Sequence, residues 1–125
     1  MLERGCEPFR AYAQSKLAQV MFTFDLAEEL PADQITANCL HPATFMPTKM
    51  VFAARGSATS TLEEGRDATL RLIEDPELDG VSGRYFNGTR DTRAEEQAYD
   101  PAARAKLREL SDRLTGDPTR ETHDP

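Results

Sequence analysis

Tyr12-Ala13-Gln14-Ser15-Lys16-Leu17-Ala18-Gln19 reads as helix, and Ile35-Thr36-Ala37-Asn38-Cys39-Leu40-His41-Pro42, shortly after it, reads as a strand running into a loop. Around the first segment apolar residues recur at Ala13, Leu17, Val20, Met21 and Phe24, a period near that of a helix. Pro8 suits a first helical turn, where its missing N–H costs nothing. Glu28, Glu29 and Pro31 close the run, so the spacing predicts a long helix over residues 9–30. Residues 34–40 carry no charge and are partly β-branched. A strand with so little polar alternation is expected to be covered on both faces, as in a parallel sheet.

Further along, residues 41–48 form a loop punctuated by Pro42 and Pro47, and residues 49–55 have room for one or two helical turns before Gly56. Ser60-Thr61-Leu62-Glu63 has the form of a capping box with Ser60 as the cap. The helix it opens runs through Ala68, Leu70, Leu72 and Ile73 and stops before Pro76. Val81, Tyr85 and Phe86 suggest a short strand within residues 80–87. Asp100-Pro101 opens a last helix with an apolar stripe of Ala103, Leu107, Leu110 and Leu114, which Gly116 can close. Residues 117–125 read as a disordered acidic tail.

Helix, strand, helix, strand, helix argues for an α/β fold with parallel strands. Parallel strands need neighbours on both sides and helices on both faces. Two strands cannot supply this, so the chain is expected to be the incomplete part of a larger doubly wound sheet.

The chain has 125 residues, the size of one domain, and a formal charge of −7. That charge repels phosphate backbones and anionic lipid, and no Lys/Arg cluster is interleaved with aromatics, which argues against nucleic acid as a partner. Cys6 and Cys39 are too few for a disulfide scaffold and have no partners at metal-ligand spacing. Cys39 fits a small buried hydrophobe on a strand. No apolar run reaches about 18 residues, so no membrane span is expected, and no leader peptide is legible at the N-terminus. These features lead to the expectation of a cytoplasmic protein with reduced thiols and no bound metal.

Tyr12 and Lys16, four residues apart, share one helix face. A phenol is a poor acid or base at neutral pH, and a neighbouring ammonium favours its ionised form. Such a pair suits proton exchange with an alcohol or carbonyl oxygen. Taken alone, the spacing is a weak signal and more often marks an ordinary surface pair.

The surroundings of the pair narrow the choice. The run from Tyr12 to Gln19, with Phe22-Thr23 and Leu26-Ala27-Glu28-Glu29-Leu30, resembles the active-site helix of the short-chain dehydrogenase/reductase family. The run from Ile35 to Pro42 is similar to the strand that follows it there. Glu63-Glu64-Gly65, Pro76-Glu77-Leu78, Gly80-Val81-Ser82-Gly83-Arg84-Tyr85-Phe86 and the closing Leu-rich helix resemble retinol-dehydrogenase-like members, so that residues 1–116 look like the C-terminal half of such a domain.

The resemblance implies a Rossmann-type fold and oxidation or reduction of a hydroxyl or carbonyl group with NAD or NADP. Tyr12 matches the catalytic acid/base, and Lys16 matches the residue that holds the nicotinamide ribose and favours the phenolate. Pro42, Ala43, Thr44, Phe45 and Thr48 fall in the segment that lies against the nicotinamide, where backbone groups near Phe45 meet the carboxamide. Ala43 stands where the family usually has glycine, and Thr48 lies one position later than the familiar threonine. Cofactor contact and a helix cap before Lys49 both fit Thr48. His41 is read as structural. Met46, Met50, Val51 and Phe52 suit either an apolar substrate or ordinary packing.

The family's Gly-x-x-x-Gly-x-Gly turn, which receives the pyrophosphate, has no counterpart among the seven scattered glycines. Its Asn-Ala-Gly segment and catalytic serine have none either, and too few residues precede Tyr12 to hold the strand carrying that serine. The chain is therefore expected to be a truncated enzyme, inactive alone, with weak or no cofactor binding. The alternative is a non-catalytic interaction module that pairs with itself or a relative through the Tyr12 helix, where Met21, Phe22 and Phe24 give more apolar surface than one face needs.

Overall fold

The computed structural model describes residues 7–44, 46, 48, 57–58 and 60–116. Its first helix, α1, spans Pro8–Glu29. The Glu7 carboxylate caps it, accepting from the N–H groups of Phe9 and Arg10. At the other end Leu30 is extended, as a residue before proline must be, and its N–H closes the last turn on Leu26. The remaining elements are β1 (Cys39–His41), α2 (Leu62–Glu74), β2 (Tyr85–Asn87), β3 (Arg90–Thr92) and α3 (Pro101–Thr115). Single 3-10 turns at Pro76–Leu78 and Glu96–Tyr99 precede β2 and α3 respectively.

The expected parallel pair is present. β1 runs parallel to β2, with Leu40 opposite Phe86. The sheet is mixed rather than wholly parallel, because β3 pairs antiparallel with β2 in the order β1-β2-β3. Gly88 is the cause. At φ +62 it reverses the chain directly after Asn87 and returns Arg90–Thr92 along the same strand.

Both strands are shorter than the sequence suggests. Residues 34–40 do not form one strand, since the N–H groups of Gln34 and Ile35 both fold back on the Pro31 carbonyl. Ala37 and Asn38 then run beside residues 81–84, held largely by side chains. Ala37 N–H donates to Ser82 Oγ, and Asn38 donates to the Val81 carbonyl while accepting from Arg84 N–H. Gly80 and Gly83, at φ +75 and +74, keep residues 80–84 out of extended conformation, so β2 begins only at Tyr85.

The cap of α2 is also displaced by one residue. Thr61, not Ser60, accepts from Glu64 N–H, so Thr61 is the side-chain cap. Residues 49–55 and the tail at 117–125 lie outside the described residues, as does Cys6.

Met21 and Phe24 of α1 meet Ala98 in the core, joined by Leu17, Val20, Cys39, Tyr85, Tyr99, Ala103 and Leu107. Tyr85 therefore faces α1 and α3. Phe86 faces the other way by strand alternation, is buried, and lies under the Arg71 guanidinium of α2 at 5.6 Å. One helix layer thus covers each face of the sheet.

The stripe read on α3 holds only in its first half. Ala103 and Leu107 reach the core, whereas Leu114 is 62% exposed. The buried residue of that helix is Arg104, which bonds Asp25 at 2.9 Å, Glu28 at 2.6 Å and the Ala98 carbonyl at 3.1 Å. Arg108 pairs with Glu29 beside it. These ion pairs tie α3 to α1. None of the described helices is long and apolar enough to cross a membrane.

Candidate active site

α1 carries Tyr12 and Lys16 one turn apart. The Lys16 ammonium lies 5.5 Å from the Tyr12 ring centroid, within cation–π reach. The Tyr12 ring is 55% exposed and open to a ligand. Ser15, between the two, donates its hydroxyl to the Tyr12 carbonyl at 2.7 Å, a back-bond along the helix that occupies it.

The second group of expected site residues begins where β1 ends. In open α/β sheets ligands gather beyond the carboxyl ends of the parallel strands, and here that end holds His41-Pro42-Ala43-Thr44. The hairpin turn shapes it, because Gly88 N–H donates to the His41 carbonyl at 2.8 Å. His41 Nε2 lies 3.0 Å from Thr44 Oγ1, and Thr44 N–H donates to Ser60 Oγ at 3.1 Å. Thr48 N–H donates to the Met46 carbonyl at 2.7 Å. Pro42, Ala43, Met46 and Thr48 are half-buried.

Two groups of the expected site residues are thus assembled: Tyr12 with Lys16, and Thr44 with its neighbours around β1's end. Thr44 makes its hydrogen bonds to His41 and Ser60 rather than to the Tyr12–Lys16 pair. Phe45, Met50, Val51 and Phe52 lie outside the described residues.

The contacts of Ser60 with Thr44 and of Gly65 with Met46 were missed by sequence reasoning. Adjacent hydroxyls at 60 and 61 compete for the cap of α2, and only tertiary contact shows that Ser60 serves Thr44 instead. Gly65 is buried because Met46 Sδ sits over it, where an alanine methyl would collide.

The titratable groups beneath the sheet are set against reactivity. Burial pushes the Cys39 thiol up to about 11, opposed by a hydrogen bond with Thr23. Burial raises the Tyr85 phenol too, helped by the charges of Cys39 and Glu95. Both stay protonated at neutral pH.

The chain is similar in sequence to WW domain-containing oxidoreductase of Danio rerio, with 33% identity over 113 residues, 83% of this chain and 27% of that protein. It is 32% identical to retinol dehydrogenase 14 of Homo sapiens over 84% of the chain and 35% of that protein. It is 33% identical to polyprenol dehydrogenase of Homo sapiens over 87% and 37% respectively. The chain therefore spans about a third of the length of these curated relatives. No family model matches it, and no solved structure does.

Proposed function

The chain belongs to the short-chain dehydrogenase/reductase family, and we propose that Tyr12 and Lys16 are the proton-exchanging pair of an NAD(P)-dependent oxidoreductase acting on a hydroxyl or carbonyl group. The observation that carries this reading is the stacked, exposed Tyr12–Lys16 pair on the helix that covers the parallel strands.

The residues present fit one end of a nicotinamide dinucleotide. The Lys16 ammonium has free donors for ribose hydroxyls. The segment carrying Pro42, Ala43 and Thr44, at the carboxyl end of β1, offers backbone groups beside a ring. When bound, the nicotinamide supplies the hydride chemistry. Tyr12 gives its hydroxyl proton to the carbonyl oxygen in reduction and takes the alcohol proton in oxidation. Lys16 stabilises the phenolate left behind, and Thr44, held by His41 and Ser60, keeps the segment in one place.

No described glycine stands at a strand-to-helix turn of the kind that receives a pyrophosphate. This supports weak cofactor binding and no turnover by these 125 residues alone. Joined in one polypeptide to the glycine-rich half of a family relative, the chain should oxidise an alcohol. In that form Tyr12→Phe should lower kcat by about a hundredfold or more, the usual worth of a placed acid/base. An unchanged kcat in Tyr12→Phe removes the assignment.

A second reading, an interaction module, draws on Phe22, which is 50% exposed beside a cavity of about 230 Å³ lined also by Ala18 and Leu107. Sedimentation of the isolated chain separates the two: a concentration-dependent dimer abolished by Phe22→Ser supports the module.

A further inference from the structure

We propose that Ser60 and Gly65, at the start of α2, are positioning residues that dock the segment carrying Thr44, Met46 and Thr48. This rests on the reading that the segment faces the nicotinamide end of the cofactor, and adds which part of the fold sets its position.

Two contacts from one helix end carry the inference. Ser60 directly precedes the Thr61 cap, so the start of α2 fixes its hydroxyl, and that hydroxyl receives Thr44 N–H at 3.1 Å. One turn later, Gly65 leaves a socket for the Met46 thioether. A methyl group in that place would drive out the Met46 side chain, although alanine suits a helix better than glycine. Thr44 is thus held by its backbone and Met46 by its side chain, at two places one turn apart at the start of α2. From the other side, His41 Nε2 meets Thr44 Oγ1. Thr44 is therefore gripped between the end of β1 and the start of α2, and a shift of α2 moves the segment with it.

Nuclear magnetic resonance on the whole chain, labelled at backbone nitrogen and methionine methyls, tests this. Ser60→Ala should speed exchange of the Thr44 amide about fivefold, the worth of one net hydrogen bond, and Ser60→Thr should restore it. Gly65→Ala should move the Met46 methyl resonance and also speed Thr44 exchange. Adding Met46→Ala to it should return the rate to that of Met46→Ala alone, which isolates the coupling between the two positions. Unshifted amides in α1 and α3 show that each variant is folded. Thr44 exchange unchanged in Ser60→Ala, or a Met46 methyl unmoved by Gly65→Ala, overturns the proposal.

Reduced nicotinamide mononucleotide then probes the role. It should shift the Thr44 and Thr48 amides in the parent and in Ser60→Thr, and shift them less in Ser60→Ala. Should it shift nothing in the parent while the exchange results hold, the cofactor reading falls and the docking itself stands.

Discussion

Arg104 shows how much one side chain can decide. Its side chain is 7% exposed, and its guanidinium spans Asp25 and Glu28 of α1 while donating to the Ala98 carbonyl. Removing it leaves Asp25 to the more distant Arg108, 3.9 Å away, and breaking such a mostly buried pair costs about 3 kcal/mol. Arg108 pairs with Glu29 in a more open place and is worth about 1 kcal/mol at most. Urea unfolding of Arg104→Ala and Arg108→Ala should show that difference, and equal midpoints would remove the network from the account of stability. Cys39 makes a second prediction. Burial moves its thiol from 9.0 to about 11, so the folded chain keeps this proton where the unfolded chain loses it. Stability is then level below about pH 9 and falls as pH rises toward 11. Iodoacetamide at pH 9 should label Cys39 far more slowly in the folded chain than in urea. The Tyr12–Lys16 pair was legible in the sequence because a helix fixes what stands four residues away. Arg104 was not, since its partners Asp25 and Glu28 come from another helix, and a lone arginine amid Ala103 and Leu107 reads as surface.

Helices α1, α2 and α3 follow from periodicity and punctuation, and all three lie where Pro8, Pro31, Pro76, Pro101 and Gly116 place them. Strands were harder to read. β1 pairs with β2 across more than forty residues, and the flank of β1 is held in part by the Asn38 and Ser82 side chains. β3 went unread although Asn87-Gly88 is a hairpin signal, because Arg90-Asp91-Thr92 has neither apolar residues nor alternation. The displaced cap of α2 gives the test at this level. Thr61→Ala removes the acceptor of Glu64 N–H and should cost about 1 kcal/mol, with loss of helix signal on heating. Ser60→Ala should leave α2 intact, because that hydroxyl serves Thr44. A larger loss from Ser60→Ala than from Thr61→Ala would return the cap to Ser60.

On the proposed function, the described residues offer one end of a dinucleotide site. Among the described residues β1 pairs on one side only, α1 and α3 cover one face, and α2 covers the other, so the described sheet supports the Tyr12–Lys16 pair and Thr44. Affinity for a dinucleotide comes largely from backbone N–H groups and a helix N-terminus around the pyrophosphate. The described glycines with positive φ, Gly80, Gly83, Gly88 and Gly116, stand instead before β2, in the hairpin and after α3. On the proposed reading, the described residues bring a lysine donor and a short run of backbone groups to the nicotinamide end. Such a site should bind NADH or NADPH no tighter than about 1 mM, roughly 4 kcal/mol. Catalysis fares worse still, because a ring held this loosely rarely meets the substrate carbon at reacting distance, and lost positioning can forfeit about 7 kcal/mol or more of barrier lowering. Fluorescence titration of the purified chain with NADH and NADPH should therefore show no saturation in the micromolar range, and alcohol-dependent reduction of NAD or NADP should stay at background. Micromolar binding together with turnover lost in Tyr12→Phe would mean that the Tyr12–Lys16 pair and the Thr44 segment make a working site without a pyrophosphate turn.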